Sequence, residues 1–195
     1  MKRILFISLI LLLAAFAAYS LVGGNRVFKH PEVGQAIDSL NGVMVYYNGS
    51  VSHVAGRNVA ADGYNLGLKY QCVEFVKRYY YQHLKHKMPD SYGHAKDFFD
   101  AAVRDGQKNK KRNLTQYTNG SLSKPKANDL VIEDGNAFNP YGHVFIIARV
   151  EDTEIEIIQQ NPGPGAPSRL KIKLQQQNGK WRIMDEAVLG WLRKE

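Results

Sequence analysis

The spacing of hydrophobic positions changes along the chain, and this change predicts the order of its secondary structure. From Lys69 to about Lys87, apolar residues recur every three or four positions, the period of one face of an α-helix. Most charged residues of this stretch fall on the other side, which predicts one buried face and one solvent-facing face. The buried positions are Cys72, Phe75, Val76, Tyr79 and His83, and the polar ones are Glu74, Lys77, Arg78, Gln82 and Lys85. A second helix is predicted from His94 to Val103.

After Pro125 the period becomes that of β-strands, with short apolar or alternating runs separated by turn residues. The predicted strands are Leu130 to Ile132, His143 to Val150, Glu154 to Gln160, Leu170 to Leu174, Trp181 to Ile183 and Val188 to Trp191. Helices therefore come first and an antiparallel sheet second, which is the order of an α+β fold.

The polar connection Glu151 to Thr153 joins two of these strands and predicts an antiparallel hairpin. In an antiparallel hairpin the numbers of two paired residues always add up to the same value. If Val150 pairs with Glu154, His143 therefore lies opposite Asn161. Side chains of opposed residues project from the same face of a sheet. The hairpin is therefore expected to carry polar groups beside the imidazole of His143.

The N-terminus has the charged and then apolar pattern of an export signal. Residues 1–22 are interpreted as a signal peptide, or as an uncleaved membrane anchor through residues 4–22. Residues 23–62 are expected to form an extension packed on the domain, and residues 63–195 a catalytic domain. Either form of the signal predicts an exported protein, periplasmic or extracellular.

The formal charge of +8 predicts attraction to anionic surfaces such as cell-wall polymers or lipid headgroups. Basic residues are densest in a predicted loop, at Lys108, Lys110, Lys111 and Arg112. Nucleic acid is not expected as a partner, because this cluster lacks interleaved aromatic residues.

Cys72 is the single cysteine of the chain, so no disulfide can form within it. From composition alone, the favoured interpretation of a free cysteine is a small buried hydrophobic residue. An unpaired thiol in an exported protein strengthens the alternative of a chemical use. If Cys72 lies in the first turn of its helix, the helix dipole and free N–H groups stabilise the thiolate, which is the nucleophilic form. The same N–H groups supply part of an oxyanion hole.

Among six histidines, His143 is the candidate general base because it opens an apolar strand, where side chains reach into clefts. The others are His30 and His53 in the N-terminal stretch, His83 and His86 on the Cys72 helix, and His94 at the start of the second helix. A residue 11 positions along a helix lies about 16 Å away, too far for direct proton transfer.

Two neutral amides are candidates for orienting His143. In the predicted register Asn161 lies opposite His143, while Gln159 lies opposite Phe145 and reaches His143 diagonally. A shift of one residue would bring Gln160 there instead. A neutral amide suffices in this role, as in the Cys-His-Asn arrangement of papain-like proteases.

These motifs, in this order, resemble the CHAP family of cysteine, histidine-dependent amidohydrolases/peptidases, and are most similar to the amidase domain of glutathionylspermidine synthetase/amidase. The resemblance runs from about Gly63 to the C-terminus. Its pieces are Tyr70 to Arg78 (YQCVEFVKR), Ala127 to Leu130, Gly142 to Ile147 (GHVFII), Gln160-Asn161, Asn178 to Trp181 and Val188 to Trp191.

The resemblance implies a papain-like fold with N-terminal helices packed on an antiparallel sheet, Cys72 as nucleophile and His143 as base. It implies no metal or organic cofactor. The similar amidases have Glu where this chain has Gln159, which removes a negative charge beside the imidazole, and Asn128 stands where the family often has Gly. Combined with export, the resemblance predicts cleavage of amide bonds in peptidoglycan; the alternatives are a glutathionylspermidine-type amidase and a binding protein without catalytic activity.

Overall fold

The computed structural model describes residues 10, 12–15, 31–163 and 165–195. The chain divides into two compact units, Met1–Pro31 and Glu32–Glu195. In the first unit residues 10 and 12–15 are helical, and the rest of the predicted signal or anchor lies outside the described residues. Within the described residues, no helix has the length and apolar character needed to cross a membrane.

Two small antiparallel hairpins begin the second unit. The first pairs β1 (Ala36–Leu40) with β2 (Val43–Tyr46), and the second pairs β3 (Arg57–Val59) with β4 (Asn65–Leu68). Val43 and Val45 of β2 are buried and join the core beneath the helix.

Helix α1 (Cys72–Gln82) follows β4 and packs against β2, β4 and one central strand of the main sheet. It begins three residues later than predicted, because Tyr70 has a positive φ of 68° and Gln71 is extended. It ends five residues before Lys87, and Lys85 also has a positive φ. Cys72 is therefore the first residue of the helix.

The main sheet is antiparallel, with eight strands among the described residues. Its strands are β5 (Gln107–Asn109), β6 (Leu114–Thr118), β7 (Leu130–Glu133), β8 (His143–Val150), β9 (Glu154–Ile158), β10 (Arg169–Gln177), β11 (Lys180–Ile183) and β12 (Val188–Arg193). Their spatial order is β11-β10-β9-β8-β7-β12-β6-β5. The six predicted strands are confirmed, each with ends within three residues of the predicted ones.

Both faces of the central strands are buried. One face packs with α1, in a core that includes Phe75, Tyr79, Ile132, Val144 and Ile146. The other face forms a second core, which includes Val131, Phe145, Ile147, Ile157 and Trp191. Because β8 contributes alternately to both cores, its sequence is almost continuously apolar, and this is why the pattern located it so well. The α+β class is thus confirmed, with α1 as the helix that packs on the sheet in the described part of the unit.

The predicted second helix from His94 to Val103 is wrong. The structure has one turn of 3₁₀-helix at Lys96–Phe98 and turns beyond it. Side chains form hydrogen bonds with the backbone groups that an α-helix would pair internally. The Asp97 carboxylate accepts from the His94 N–H. The side chain of the buried Gln116 bonds both the N–H and the carbonyl of Asp100. Such side-chain to backbone bonds compete directly with helix formation.

The predicted solvent-facing side of the first helix is confirmed for Gln82 and Lys85, which are exposed, but is wrong for the three charged residues nearer its start. Glu74, Lys77 and Arg78 are 1%, 1% and 5% exposed. Glu74 accepts from Asn58 of β3, and the Lys77 ammonium donates to the carbonyls of Asn65 and Ser91. The polar side of the helix is therefore covered by the hairpins, whose backbone and amide groups supply the partners that these buried charges require.

Arg112, predicted to lie in a basic surface loop, is buried as well. Its guanidinium group lies 3.9 Å from the centroid of the Phe98 ring and donates to the carbonyls of Asp90, Tyr92 and Asp97. The basic cluster therefore loses one of its four charges to the interior, while the turn residues Lys110 and Lys111 remain exposed.

The hairpin of β8 and β9 has a bulge. Val150 pairs with Ile155 rather than with Glu154 as predicted, and the register shifts by one at Ala148. On the side of the bulge towards His143, Ile146 pairs with Ile158, which is the predicted register. The extra residue in β8 shifts the pairing by one, so the predicted register holds in the part of β8 nearer His143.

The buried ion pair of α1 provides a test of this architecture. The Nε of Arg78 lies 2.6 Å from the Glu74 carboxylate, and both side chains are almost fully buried. We expect Arg78→Ala to lower the free energy of unfolding by about 3–5 kcal/mol, because it leaves a buried carboxylate without its counter-charge. Urea denaturation measures the change.

The control is Arg149→Ala, which removes an arginine paired with Glu151 and Glu156 but 59% exposed. It should change the free energy of unfolding by less than about 1 kcal/mol. Equal effects of the two variants would contradict the structural role given to Arg78.

Candidate active site

Cys72 lies where α1 meets the end of β8. As the first residue of the helix, it has free backbone N–H groups beside it, and its side chain is only partly buried against the core. Gln71 precedes it in an extended conformation, and its carbonyl accepts from the Phe75 N–H to begin the helix. The sulfur is therefore placed at the positive end of the helix dipole.

The backbone before Cys72 is held tightly. Gly67 of β4 has a φ of 125°, and a Cβ there would lie 3.3 Å from the backbone of Glu74. Tyr70 in its left-handed conformation packs its ring 5.5 Å from that of Tyr46. A bulky residue with positive φ persists only where its surroundings impose it, so the hairpins around α1 also fix the nucleophile candidate.

Backbone N–H groups from two elements act on the Cys72 thiol. Burial raises the pKa of this thiol to about 11, while the N–H groups of Val144, Val73 and Cys72 act in the opposite direction. Because β9 ends opposite Ile146, Val144 lies beyond the last paired residue of β9, and its N–H is left for the sulfur. The depressed thiol pKa expected from the helix terminus is thus outweighed by burial.

His143 and Gln159 form a hydrogen bond. The Nε2 of His143 lies 3.0 Å from the Oε1 of Gln159, whose amide nitrogen donates to the Pro167 carbonyl. Because that carbonyl can only accept, the amide orientation is fixed and Nε2 must carry the hydrogen. The imidazole therefore keeps a lone pair on Nδ1, the nitrogen available to act as a base.

The imidazole is neutral in this setting. Burial lowers the pKa of His143 to about 4, and the hydrogen bond to Gln159 acts in the opposite direction. With a thiol pKa near 11, the two groups rest as thiol and imidazole rather than as an ion pair.

Asn161, the other candidate for orienting His143, has different partners. Its amide nitrogen donates to the side-chain oxygen of Gln71 at 2.7 Å and to the Val51 carbonyl at 3.0 Å. Its φ is 55°, so the backbone has left the strand before this position. The predicted opposition of His143 and Asn161 therefore lies beyond the end of β9, and Gln159 is the amide in contact with the imidazole.

Gln160, named only as the outcome of a shifted register, anchors the end of β9 to α1. It is fully buried; its nitrogen donates to the Gln71 carbonyl and to Glu74, while its oxygen accepts from the Tyr46 N–H. Arg78 lies 3.4 Å from the same oxygen. Sequence spacing gave no signal for this network, because it joins residues that are more than eighty positions apart.

Glu133 is a titratable group beside the site that the sequence did not single out. It is the last residue of β7 and pairs with His143. Burial, followed by repulsion from Asp185, raises the pKa of Glu133 to about 7, and its charge raises the pKa of the Cys72 thiol. The nine-residue connection between β7 and β8 hid this pairing from sequence reasoning, because only short turns fix register.

Exposed apolar side chains lie on the loops around this site. Val51 and Val54 are 42% and 55% exposed in the loop that Gln71 and Asn161 bind. Phe138 is fully exposed in the loop that leads into His143. Single exposed apolar residues are ordinary on protein surfaces; these lie on loops that contact Gln71, the residue before Cys72, or lead into His143.

The site thus combines a cysteine at a helix start, a histidine at a strand start and an amide just after the neighbouring strand, and these are the residue types of the Cys-His-Asn arrangement in papain-like proteases. The CHAP domain family matches residues 61–161. This match covers more than half of the chain, and the protein belongs to the CHAP domain family.

Two relatives extend this comparison. Trypanothione synthetase of Crithidia fasciculata is 29% identical over 160 residues, which cover 77% of this chain and 24% of the relative. Bifunctional glutathionylspermidine synthetase/amidase of Escherichia coli is 30% identical over 147 residues, 70% of this chain and 23% of the relative. The chain thus spans about a quarter of the length of these relatives.

The contact between Gln159 and His143 gives a titration test. Gln159→Glu places a negative charge at hydrogen-bond distance from Nε2, so the pKa of His143 should rise from about 4 by about one to three pH units. NMR titration of the His143 ring measures it. The matched control is Asn161→Asp, which adds the same charge to a side chain bonded to Gln71 and Val51; a rise as large in this control would contradict the assigned contact.

Proposed function

We propose that this protein is a cysteine-dependent hydrolase of amide bonds, with Cys72 as nucleophile and His143 as general base. The observation that carries the proposal is the tautomer of His143: Gln159 holds the hydrogen on Nε2, which leaves Nδ1 as the acceptor. The neighbouring Val144 N–H acts on the Cys72 thiol, so the base and the nucleophile adjoin the same peptide unit. The papain-like arrangement implied by the family is part of this proposal.

The proposed reaction begins from the neutral pair. As the sulfur attacks the amide carbonyl, Nδ1 of His143 takes the thiol proton, which avoids forming a free thiolate in a partly buried site. The imidazolium then protonates the leaving amine, and the C–N bond breaks to give a thioester on Cys72. His143 next deprotonates a water molecule that attacks the thioester, releasing the acid and restoring the thiol.

The start of α1 supports the oxyanion in this proposal. The N–H groups of Cys72 and Val73 are not used in helical hydrogen bonds, because the first groups of a helix have no partner within it. Donors fixed in this way stabilise a developing negative charge without reorganising. Gln71 does not compete for this role, since its side chain donates to the Val51 and His53 carbonyls.

We take peptidoglycan amide bonds as the first substrate candidate. Its support is the export pattern of residues 1–22 and the formal charge of +8, which suits an anionic polymer outside the cytoplasm. The side chains of Val51, Val54 and Phe138 would border such a chain as it approaches Cys72.

Amides between glutathione and a polyamine are the second candidate, and the relatives favour it. One of them is named for glutathionylspermidine synthetase/amidase activity, and its match covers 70% of this chain. In this alternative the leaving amine is a polyamine and the acyl group is the glycyl end of glutathione, which is released as a carboxylate, while the roles of Cys72 and His143 stay the same.

Catalytic roles for the two groups predict distinct losses. Cys72→Ala should reduce hydrolysis to the uncatalysed rate, and His143→Ala should reduce it by about 10²–10⁴-fold. Both should leave the melting temperature nearly unchanged, because both side chains are partly exposed. If Cys72→Ala keeps its activity and melts at a much lower temperature, Cys72 is a structural residue.

The substrate candidates are separated by digesting purified sacculi and, in parallel, glutathionylspermidine. Mass analysis identifies the products, with the Cys72→Ala protein as the control for contaminating activity. New muropeptide fragments support the cell-wall candidate. Intact sacculi beside released spermidine would reject it in favour of the second.

A further inference from the structure

Gln159, the hydrogen-bond partner of His143, is neutral and therefore offers no counter-charge to a protonated ring. When Nδ1 takes the proton of Cys72, an imidazolium forms at a place where burial lowers the pKa of His143 to about 4. The Gln159 oxygen accepts the Nε2 hydrogen but carries no net charge. A carboxylate on another element, within a few ångströms of the ring, would favour the protonated form of His143.

Glu133 is in position to supply it. The β8 strand has two neighbours, with Gln159 following β9 on one side and Glu133 ending β7 on the other. Glu133 and His143 are directly opposed in the antiparallel register, and opposed side chains lie on the same face with Cβ atoms about 4.5–5.5 Å apart. The register therefore places Glu133 on the same face of the sheet as His143, on the β7 side, while Gln159 contacts the ring from the β9 side.

The other charged groups around Glu133 leave its carboxylate available. Within residues 31–163 and 165–195, the carboxylate makes no hydrogen bond and no ion pair with another side chain. Asp185, before β12, repels it, and the neighbouring Asp134 is exposed and accepts from the Gly135 N–H. Lys96 packs its Cβ near Gly142 with an exposed side chain.

We propose that Glu133 is a positioning residue that acts through His143, stabilising its imidazolium form from β7 where Gln159 on the other side is neutral. This inference rests on the proposed roles of Cys72 and His143. Glu133 acts without touching the substrate: its carboxylate attracts the protonated ring and so favours transfer of the thiol proton to Nδ1.

Glu133 favours the protonated ring of His143 but disfavours the thiolate of Cys72, so its two effects on the reaction oppose each other. The test must show which effect is larger. Its charge raises the pKa of the Cys72 thiol, which by itself would slow attack. During attack, however, the negative charge leaves the sulfur for the substrate, while the positive charge stays on the imidazole until the leaving group takes the proton. Attraction to the imidazolium therefore outweighs repulsion of the sulfur in the transition state.

The experiment is alkylation of Cys72 by iodoacetamide in the full chain as a function of pH, which needs no known substrate and reads the single cysteine. The pKa of Glu133 is about 7, so its carboxyl becomes charged as pH rises through 7. The contribution of Glu133 to the alkylation rate of the native protein should therefore appear over this pH range. Glu133→Gln should react about tenfold more slowly at pH 8, the lower end of the effect of an adjacent opposite charge, and match the native protein at pH 5.

Three further proteins make the result specific. Glu186→Gln removes an exposed carboxylate from the same segment as Asp185 and should react as the native protein does. Glu133→Asp keeps the charge on a shorter side chain and should fall between native and Glu133→Gln; it also replaces Glu133→Gln if that variant does not fold. In a His143→Ala background, Glu133→Gln should no longer slow alkylation.

The contrary outcomes are distinct. Faster alkylation of Glu133→Gln at pH 8, or a rate equal to that of the native protein, overturns the inference, because the carboxylate then only repels the sulfur or does nothing. If His143→Ala alone leaves alkylation unchanged across pH, the proposed function itself fails. If His143→Ala slows alkylation and Glu133→Gln does not, only the role of Glu133 fails.

Discussion

The site depends on a buried polar connection between α1 and the segment that follows β9. Glu74 and Arg78 form an ion pair inside the protein, and Gln160 bonds both the carboxylate and the carbonyl just before Cys72. Such groups are stable in the interior only when every partner is in place. The connection therefore fixes the start of the helix relative to the residue next to Gln160, which is Gln159, and through it the ring of His143.

This connection also determines the electrostatics of the reacting groups. By closing the helix start against the sheet, it removes water from Cys72 and His143, which pushes the thiol pKa up and the imidazole pKa down. Desolvation disfavours the charged form of both. With a thiol pKa near 11, the sulfur of Cys72 keeps its proton at neutral pH, so an oxidisable thiolate is not maintained.

Much of the fold and of the site could be predicted, and the failures have physical causes. Strands such as β8 were located because both of their faces are apolar, and His143 was found because it begins one. The polar side of α1 was misjudged because Glu74 and Arg78 look like surface residues until the hairpins that cover them are known. The choice between Gln159 and Asn161 stayed open because a bulge at Ala148 and the end of β9 both alter register without a sequence signal.

The position of the Glu133 carboxylate follows from the pairing of β7 with β8. A ring at the start of β8 can be reached from either neighbouring strand, and an opposite charge favours a protonated ring from either side. Gln159 fixes the tautomer through a directional hydrogen bond, a task that a neutral amide performs. Charge stabilisation is less directional and can come from Glu133 across the β7 pairing. Orientation and electrostatic support of His143 are thus separable and assigned to different strands.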